Sequence, residues 1–209
     1  MLPSITRSWN AAGASHRARC SFLAWVSLLV VLGAAAARAD EITVILDDTT
    51  NTCGVQGSFM APVSRQLAWA VLSDYDHISD FVSSMVSSHA ERRADGSLRV
   101  HQVATGSVMG GMVHRRVHVE LETQEESPRR IAFTDVAAKD FSFYVGEWLI
   151  VPMPDSTGVY VTYRLSAEPH GAIARMFCRG ALRKTAHDLL EQVRAEMVRR
   201  EARAGAVRP

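Results

Sequence analysis

Cysteine is scarce in this chain: Cys20, Cys53 and Cys178 are the only three among 209 residues. That excludes a disulfide-dense scaffold and an all-cysteine tetrahedral zinc centre. Charge of either sign is not in excess, since 23 Lys and Arg face 22 Asp and Glu for a net +1. A general nucleic-acid binder needs a basic field, and none is present. A charged fraction of 22% beside 47% hydrophobic residues also excludes intrinsic disorder. The sequence lacks an HExxH, a CxxC and a carboxylate-rich calcium loop, so a metal site is not expected. It lacks a G-x-S-x-G nucleophile elbow and any internal repeat.

A bilayer-spanning apolar run is missing too. The apolar stretch Phe22 to Leu32 is eleven residues, and even Phe22 to Ala37 is sixteen. A spanning helix needs roughly 20. Arg7, Arg17 and Arg19 precede the stretch with no acidic residue, and Ala37-Arg38-Ala39 follows it. A basic start, a short apolar region and a small-x-small site together describe a secretory signal peptide. Residues 1–39 are therefore read as a signal cleaved after Ala39, with a retained anchor helix as the competing reading. No Cys lies just after the apolar run, so a lipoprotein anchor is not expected, and Arg17-Ala18-Arg19 is not a twin-arginine pair. Cys53 and Cys178 remain after cleavage. An exported compartment permits a bridge between them. Spacing alone does not show that they meet, and two buried free thiols are the expectation.

Residues 40–203 read as one folded domain, with 204–209 as a frayed tail. Ile42 to Leu46 and Val55 to Met60 flank the turn cluster Asp47-Asp48-Thr49-Thr50-Asn51, which predicts a hairpin. Leu67, Ala68, Val71 and Leu72 recur at helical spacing behind Pro62 and Ser64, giving a short helix over 64–73. Ile78, Phe81, Val82 and Met85 predict a second helical turn or two. From residue 86 the period falls to two. Strands are expected over 86–93, 98–108, 113–121, 131–136, 141–151 and 159–165. Leu182, Ala186, Leu189, Val193 and Met197 then step by three or four along a helix over 172–203.

This order is α+β: a curved antiparallel sheet wrapped around a long C-terminal helix, with two short helices after the first strands. Local words sharpen the pattern. Phe59-Met60-Ala61-Pro62 leads into Ala68-Trp69-Ala70-Val71-Leu72-Ser73-Asp74-Tyr75, and Gly146-Glu147-Trp148 and Tyr163-Arg164-Leu165 come later. Over roughly residues 42–200 the chain resembles the START-like, or SRPBCC (Bet v 1-like), superfamily. Within it the chain is most similar to the polyketide cyclase/dehydrase and coenzyme-Q-binding START branch. The resemblance implies a helix-grip fold with an apolar cavity between sheet and long helix. Trp148 and Asp74-Tyr75 read as packing and turn residues.

The residues that can line such a cavity are Phe81, Met85, Val100, Val117, Val119, Phe133, Phe143, Tyr163, Phe177, Leu182, Leu189 and Val193. Burial of apolar ligand surface there is worth about 25 cal/mol per Å². The competing reading, position by position, is a filled core. Val108, Met109, Met112 and Val113 around Gly110-Gly111 make an unusually apolar hairpin tip, either a lid that touches a membrane transiently or a tip buried on the short helices. For acid/base chemistry the candidates are Glu147, His101 and Tyr163. Glu147 shares a strand face with Phe143, Val145 and Val151, and points either into the cavity as a general base or outward to a neighbouring Arg. His114 and His118 lie about 13 Å apart on a strand, too far for a metal with ligands at about 2 Å. Cys178 reads as structural rather than nucleophilic.

The leading expectation is an exported, periplasmic binding or carrier protein for a hydrophobic small molecule or lipid, such as an isoprenoid quinone or a polyketide-like compound, with no cofactor. A cyclase or dehydratase is the enzymatic rival. A protein-interaction module with a packed interior is the third.

Overall fold

The computed structural model describes residues 42–47, 52–108, 113–155 and 157–206, with side chains described except at 47, 106–114, 172–177 and 179. The expected signal peptide and the hairpin tip at Met109 to Met112 lie outside the described residues, and the side chains of Val108, Val113 and Phe177 do too.

Eight strands form one antiparallel sheet. In chain order they are β1 (Thr43–Asp47), β2 (Cys53–Ala61), β3 (Met85–Arg92), β4 (Leu98–Val108), β5 (Val113–Glu126), β6 (Arg130–Asp135), β7 (Phe141–Pro152) and β8 (Val159–Pro169). Helix α1 (Arg65–Leu72) follows β2, and helix α2 (Ala172–Ala206) ends the described chain. In space the order is β1-β2-β8-β7-β6-β5-β4-β3. Consecutive hairpins build the run from β3 to β8. The β1–β2 hairpin then joins it through the β2–β8 pairing, which sets Phe59 opposite Val161.

Ser64 caps α1 by accepting a hydrogen bond from the Leu67 amide at 3.1 Å, which satisfies a donor that the first helical turn leaves open. The second expected helix is a single 3-10 segment, Tyr75–Asp80. Met85 already belongs to β3, so it is a strand residue and not a helical one. Helix α2 continues to Ala206, past the expected start of the frayed tail at 204. Despite its 35 residues, α2 is interrupted by charge throughout, and no described helix is long and apolar enough to cross a membrane.

The core sits where α2 crosses β2 and β8. Leu190, Val193 and Met197 of α2 are fully buried there, with Phe59, Val161 and Val71. Gly57 makes the close approach possible, because a Cβ at that position would overlap the Leu190 side chain. Two ties fix the helix over the sheet. At its start, Cys178 is bridged to Cys53 of β2, with Cα atoms 6.1 Å apart. This corrects the expectation of free thiols: both side chains are buried, and the packing of α2 on β2 brings them within bridging reach.

The second tie lies near the other end. Glu196 is a buried carboxylate, 3% exposed. It accepts hydrogen bonds from Arg199 and from Arg200 Nε, the latter at 2.6 Å. Arg200 also reaches Asp74 Oδ2 at 2.8 Å, just beyond α1. Burial pushes both carboxyls up, but the bonds from Arg199 and Arg200 to Glu196, and from His77 and Arg200 to Asp74, outweigh it and hold both below their ordinary values. Arg200 sits over the Phe81 ring at 5.8 Å as well.

Two outcomes are expected. The bridge closes a loop over a sequence separation of 125 residues. Its loss in a Cys53→Ser, Cys178→Ser variant should lower unfolding free energy by about 2–4 kcal/mol in urea titrations. For Glu196 and Asp74 the folded pKa is depressed, so their contribution is present above the unfolded value and lost as pH falls through the folded one. Glu196→Gln should cost about 1–2 kcal/mol at neutral pH and flatten the acid limb of stability below about pH 4.5. An unchanged acid limb, measured by urea unfolding at several pH values, would contradict the tie.

Candidate functional site

Along each strand alternate residues face α2. On β4 these are Val100, Gln102 and Ala104; on β5, Val117, Val119 and Leu121. On β8 they include Val161, Tyr163 and Leu165, and on β7 Tyr144, Gly146, Trp148 and Ile150. Over β2 and β8 the helix packs directly on this surface. Over β5, β7 and the start of β8 it stands off, while part of β4 stays in contact with it. The result is an open cavity of about 230 Å³ between the sheet and residues 178–189 of α2.

Its interior is mainly apolar. Met85, Val117, Val119, Leu165, Leu182 and Leu189 line it. One wall is aromatic: Phe141 and Tyr144 have ring centroids 4.9 Å apart, and Tyr163 packs on Trp148 at 4.5 Å. Burial pushes the Tyr144 phenol up to about 12 and raises that of Tyr163 well above its ordinary value, and the two hydroxyls share a hydrogen bond. Both are neutral donors and acceptors at any ordinary pH. Gln102 adds a primary amide to the lining.

Charge is confined to the rim. Arg115 is exposed and reaches Asp140 Oδ1 at 2.7 Å. The other Asp140 oxygen accepts the His118 backbone N–H at 2.8 Å. Burial pushes the Asp140 carboxyl up, but the His118 backbone, its side chain and Arg115 hold it below the usual carboxylate value. The His170 amide donates to the Asp140 carbonyl at 3.1 Å, and its ring lies 3.1 Å from the Ala138 carbonyl. Asp140 thus fixes the rim, and its depressed pKa makes it a weak base.

Of the residues named from the sequence, Met85, Val117, Val119, Tyr163, Leu182 and Leu189 come together around the cavity. Val100 and Val193 are wholly enclosed in the packed core. Phe133 is buried beneath Tyr144 and Tyr163, 6.1 and 6.4 Å away. Phe81 packs near the C-terminal end of α2 under Arg200. Phe143 faces away from the helix and is 42% exposed. The placement of Glu147 is a correction to the inward reading, and the outward alternative holds. It lies on the outer sheet face between Arg130, 2.8 Å away, and Arg164, 3.0 Å away. The Arg130 hydrogen bond, helped by Arg164, keeps its carboxyl below the ordinary value, the opposite of a tuned general base. His101 also faces outward, 3.9 Å from Glu91 and Glu120, because its neighbour Val100 takes the inward position.

Sequence reading missed Tyr144, Phe141, Gln102 and Asp140. Gln102 was legible by parity, two residues from Val100. The β7 residues were not, because the β7–β8 pairing shifts register between Phe141 and Phe143, and both Phe141 and Tyr144 thereby reach the interior. Among the described residues, His187, Asp188 and Glu191 place three ligand-type atoms within 4.8 Å. Asp188 is already engaged by Lys184 at 2.6 Å, so the group reads as an i,i+4 ion-pair ladder.

Residues 52–198 match the family model described as polyketide cyclase / dehydrase and lipid transport. The chain belongs to this family. No curated protein matches it in sequence. A STAR-related lipid transfer protein from Xanthomonas axonopodis superposes with a TM-score of 0.59 at 16% identity, covering 78% of this chain and 96% of the other. The ZhuI aromatase/cyclase from Streptomyces sp. R1128 gives 0.58 at 16% identity, covering 71% and 95%. A Thermus thermophilus protein gives 0.56 at 19% identity, covering 69% and 97%. At these identities the solved structures share the fold. This family member carries the START-like helix-grip architecture, which agrees with the resemblance drawn from its Ala-Trp-Ala-Val-Leu-Ser-Asp-Tyr word.

Because Glu147 faces outward, Glu147→Gln should leave any cavity ligand bound as in the parent. Arg130 and Arg164 lose a partly buried partner, so stability should fall by about 1–2 kcal/mol. Loss of ligand from the purified variant, followed by native mass spectrometry, would overturn this placement.

Proposed function

We propose that this protein is an exported carrier or binding protein for a small hydrophobic molecule, held in the cavity between sheet and α2. The single observation that carries the reading is that cavity: about 230 Å³, open to solvent and lined by Val117, Val119, Tyr163, Leu182 and Leu189. Membership of a family described by polyketide cyclisation and lipid transport supports a hydrophobic ligand. An apolar cavity of about 150 Å³ is enough to hold benzene. The larger space here suits a fused bicyclic ring, a quinone head or a short acyl segment, with any longer tail passing out through the mouth.

Carriage is favoured over acid/base catalysis by where the ionisable groups lie. Glu147 and His101 are on the outer face, and Asp140 is tied to Arg115 and His118. Tyr163 is left as a neutral orienting group. Export to a periplasm rests on the basic-apolar start of the sequence, and a bridged Cys53–Cys178 pair is at home in an oxidising compartment. The apolar tip around Met109 and Met112 would serve such a carrier as a membrane-touching lid.

Native mass spectrometry of the purified chain, with an organic extract of the same sample, should find an apolar molecule at near-stoichiometric occupancy. Leu189→Trp fills the cavity from the helix side and should reduce occupancy at least about tenfold while leaving the fold intact, since a partly open site accepts added volume more readily than a packed core. An empty parent protein that also fails to bind any apolar probe would overturn the proposal.

A further inference from the structure

We propose that the cavity selects uncharged ligands carrying a hydrogen-bonding oxygen, and that Gln102 is the residue that reads this oxygen. The proposal rests on the carrier reading and narrows it to a ligand class.

Strand β4 turns Val100, Gln102 and Ala104 toward α2. Gln102 stands between Ser88 of β3 and Val119 of β5 in the ladder. A long amide is out of place on a wall otherwise built from Val117, Val119, Met85 and Leu189. Its Nε2 donates to Ser88 Oγ at 3.2 Å, which holds the amide by one corner. A primary amide offers two donors and a carbonyl acceptor. Among the described residues, Oε1 and the second N–H have no protein partner. Gln102 is therefore anchored and still has hydrogen-bonding capacity to give to the cavity it lines.

The remaining polar groups at depth are uncharged as well. Tyr144 and Tyr163 form the other polar corner, and burial keeps both phenols protonated. Arg115, the one Lys or Arg among the described lining residues, sits at the exposed rim and is spent on Asp140. A carboxylate or phosphate drawn inside would lose its hydration and meet no counter-ion, at a cost far above what one hydrogen bond returns. A hydroxyl, phenol or ketone meets the opposite situation: an apolar wall for its carbon frame, with an amide and two phenols to replace the water it gave up. Polar pockets discriminate most sharply when their own buried groups go unpaired with the wrong ligand.

The test uses three probes of one ring frame, 2-naphthol, naphthalene and 2-naphthoate, titrated into the chain and into Gln102→Leu after any co-purified ligand has been stripped and its absence checked by native mass spectrometry. The parent should bind naphthol most tightly and naphthoate most weakly. Gln102→Leu should weaken naphthol about five- to tenfold and leave naphthalene within about twofold. Equal losses for both, or naphthoate binding better than naphthol, would overturn the proposal. If none of the three binds the parent, the carrier reading itself fails and this one with it. If naphthalene and naphthol bind but ignore Gln102→Leu, only the selectivity assignment falls. A second readout avoids the variant. The Gln102 side-chain amide resonances of the 15N-labelled parent should move with naphthol and hardly with naphthalene, and an unmoved amide in the naphthol complex would also overturn the assignment.

Discussion

The structure depends on how one helix meets one curved sheet. A helix cannot follow the twist of eight strands, so it packs tightly along part of the sheet and departs from the rest. Here the tight contact lies over β2 and β8, where Gly57 gives up its side chain to admit Leu190, and where Leu190, Val193 and Met197 are fully buried. Close packing at that crossing supplies the core that stabilises the domain. The first half of α2 must then bridge a gap over β5 and the start of β7. That gap is the cavity. It is a consequence of geometry, left where helix and sheet diverge.

A helix unsupported along half its length needs fixing at both ends, and the two ties differ in kind. The Cys53–Cys178 bridge is covalent and sits at the cavity, with Cys178 in its wall. The Glu196–Arg200–Asp74 network is ionic and lies beyond the packed crossing. The bridge limits how far the unsupported half of α2 can lift from the sheet. The ionic network fixes the end that already has a core beneath it.

Periodicity made most of the architecture legible. Alternation in residues 113–121 and the four-residue steps from Leu182 to Met197 reflect burial on one face, and burial on one face is what sheet and helix impose. Val117, Val119, Leu182 and Leu189 of the cavity could be named for the same reason. What escaped was anything set by long-range register. Phe143 reads as an inward aromatic until the irregularity beside Phe141 hands the interior to Tyr144. Glu147 reads equally as a cavity acid or as the outward partner of a neighbouring Arg, and only the register that brings Arg130 and Arg164 beside it decides for the outer face. Cys53 and Cys178 are far apart in sequence, and no local pattern states that β2 and the start of α2 coincide. A period fixes which residues share a face; it does not say which of two faces the helix will cover.

The same distinction bears on function. An apolar lining says only that a ligand is hydrophobic, and a filled core uses the same residues. The informative groups are polar ones that the strand period carries inward: Gln102 beside Ser88, and Tyr144 with Tyr163. Each costs stability in an empty apolar interior unless something satisfies it. Ser88 takes one Gln102 proton and the two phenols take each other, which leaves residual capacity without an unsatisfied charge. Ionic groups, by contrast, are paired away from its depth, Glu147 with two arginines on the outer face and Asp140 with Arg115 at the rim. An interior arranged in this way penalises ions twice, through lost hydration and through the absence of a counter-charge, and it rewards a neutral oxygen. Hydrophobic surface sets how strongly the cavity can hold a molecule, and the few neutral polar groups set which molecule it holds.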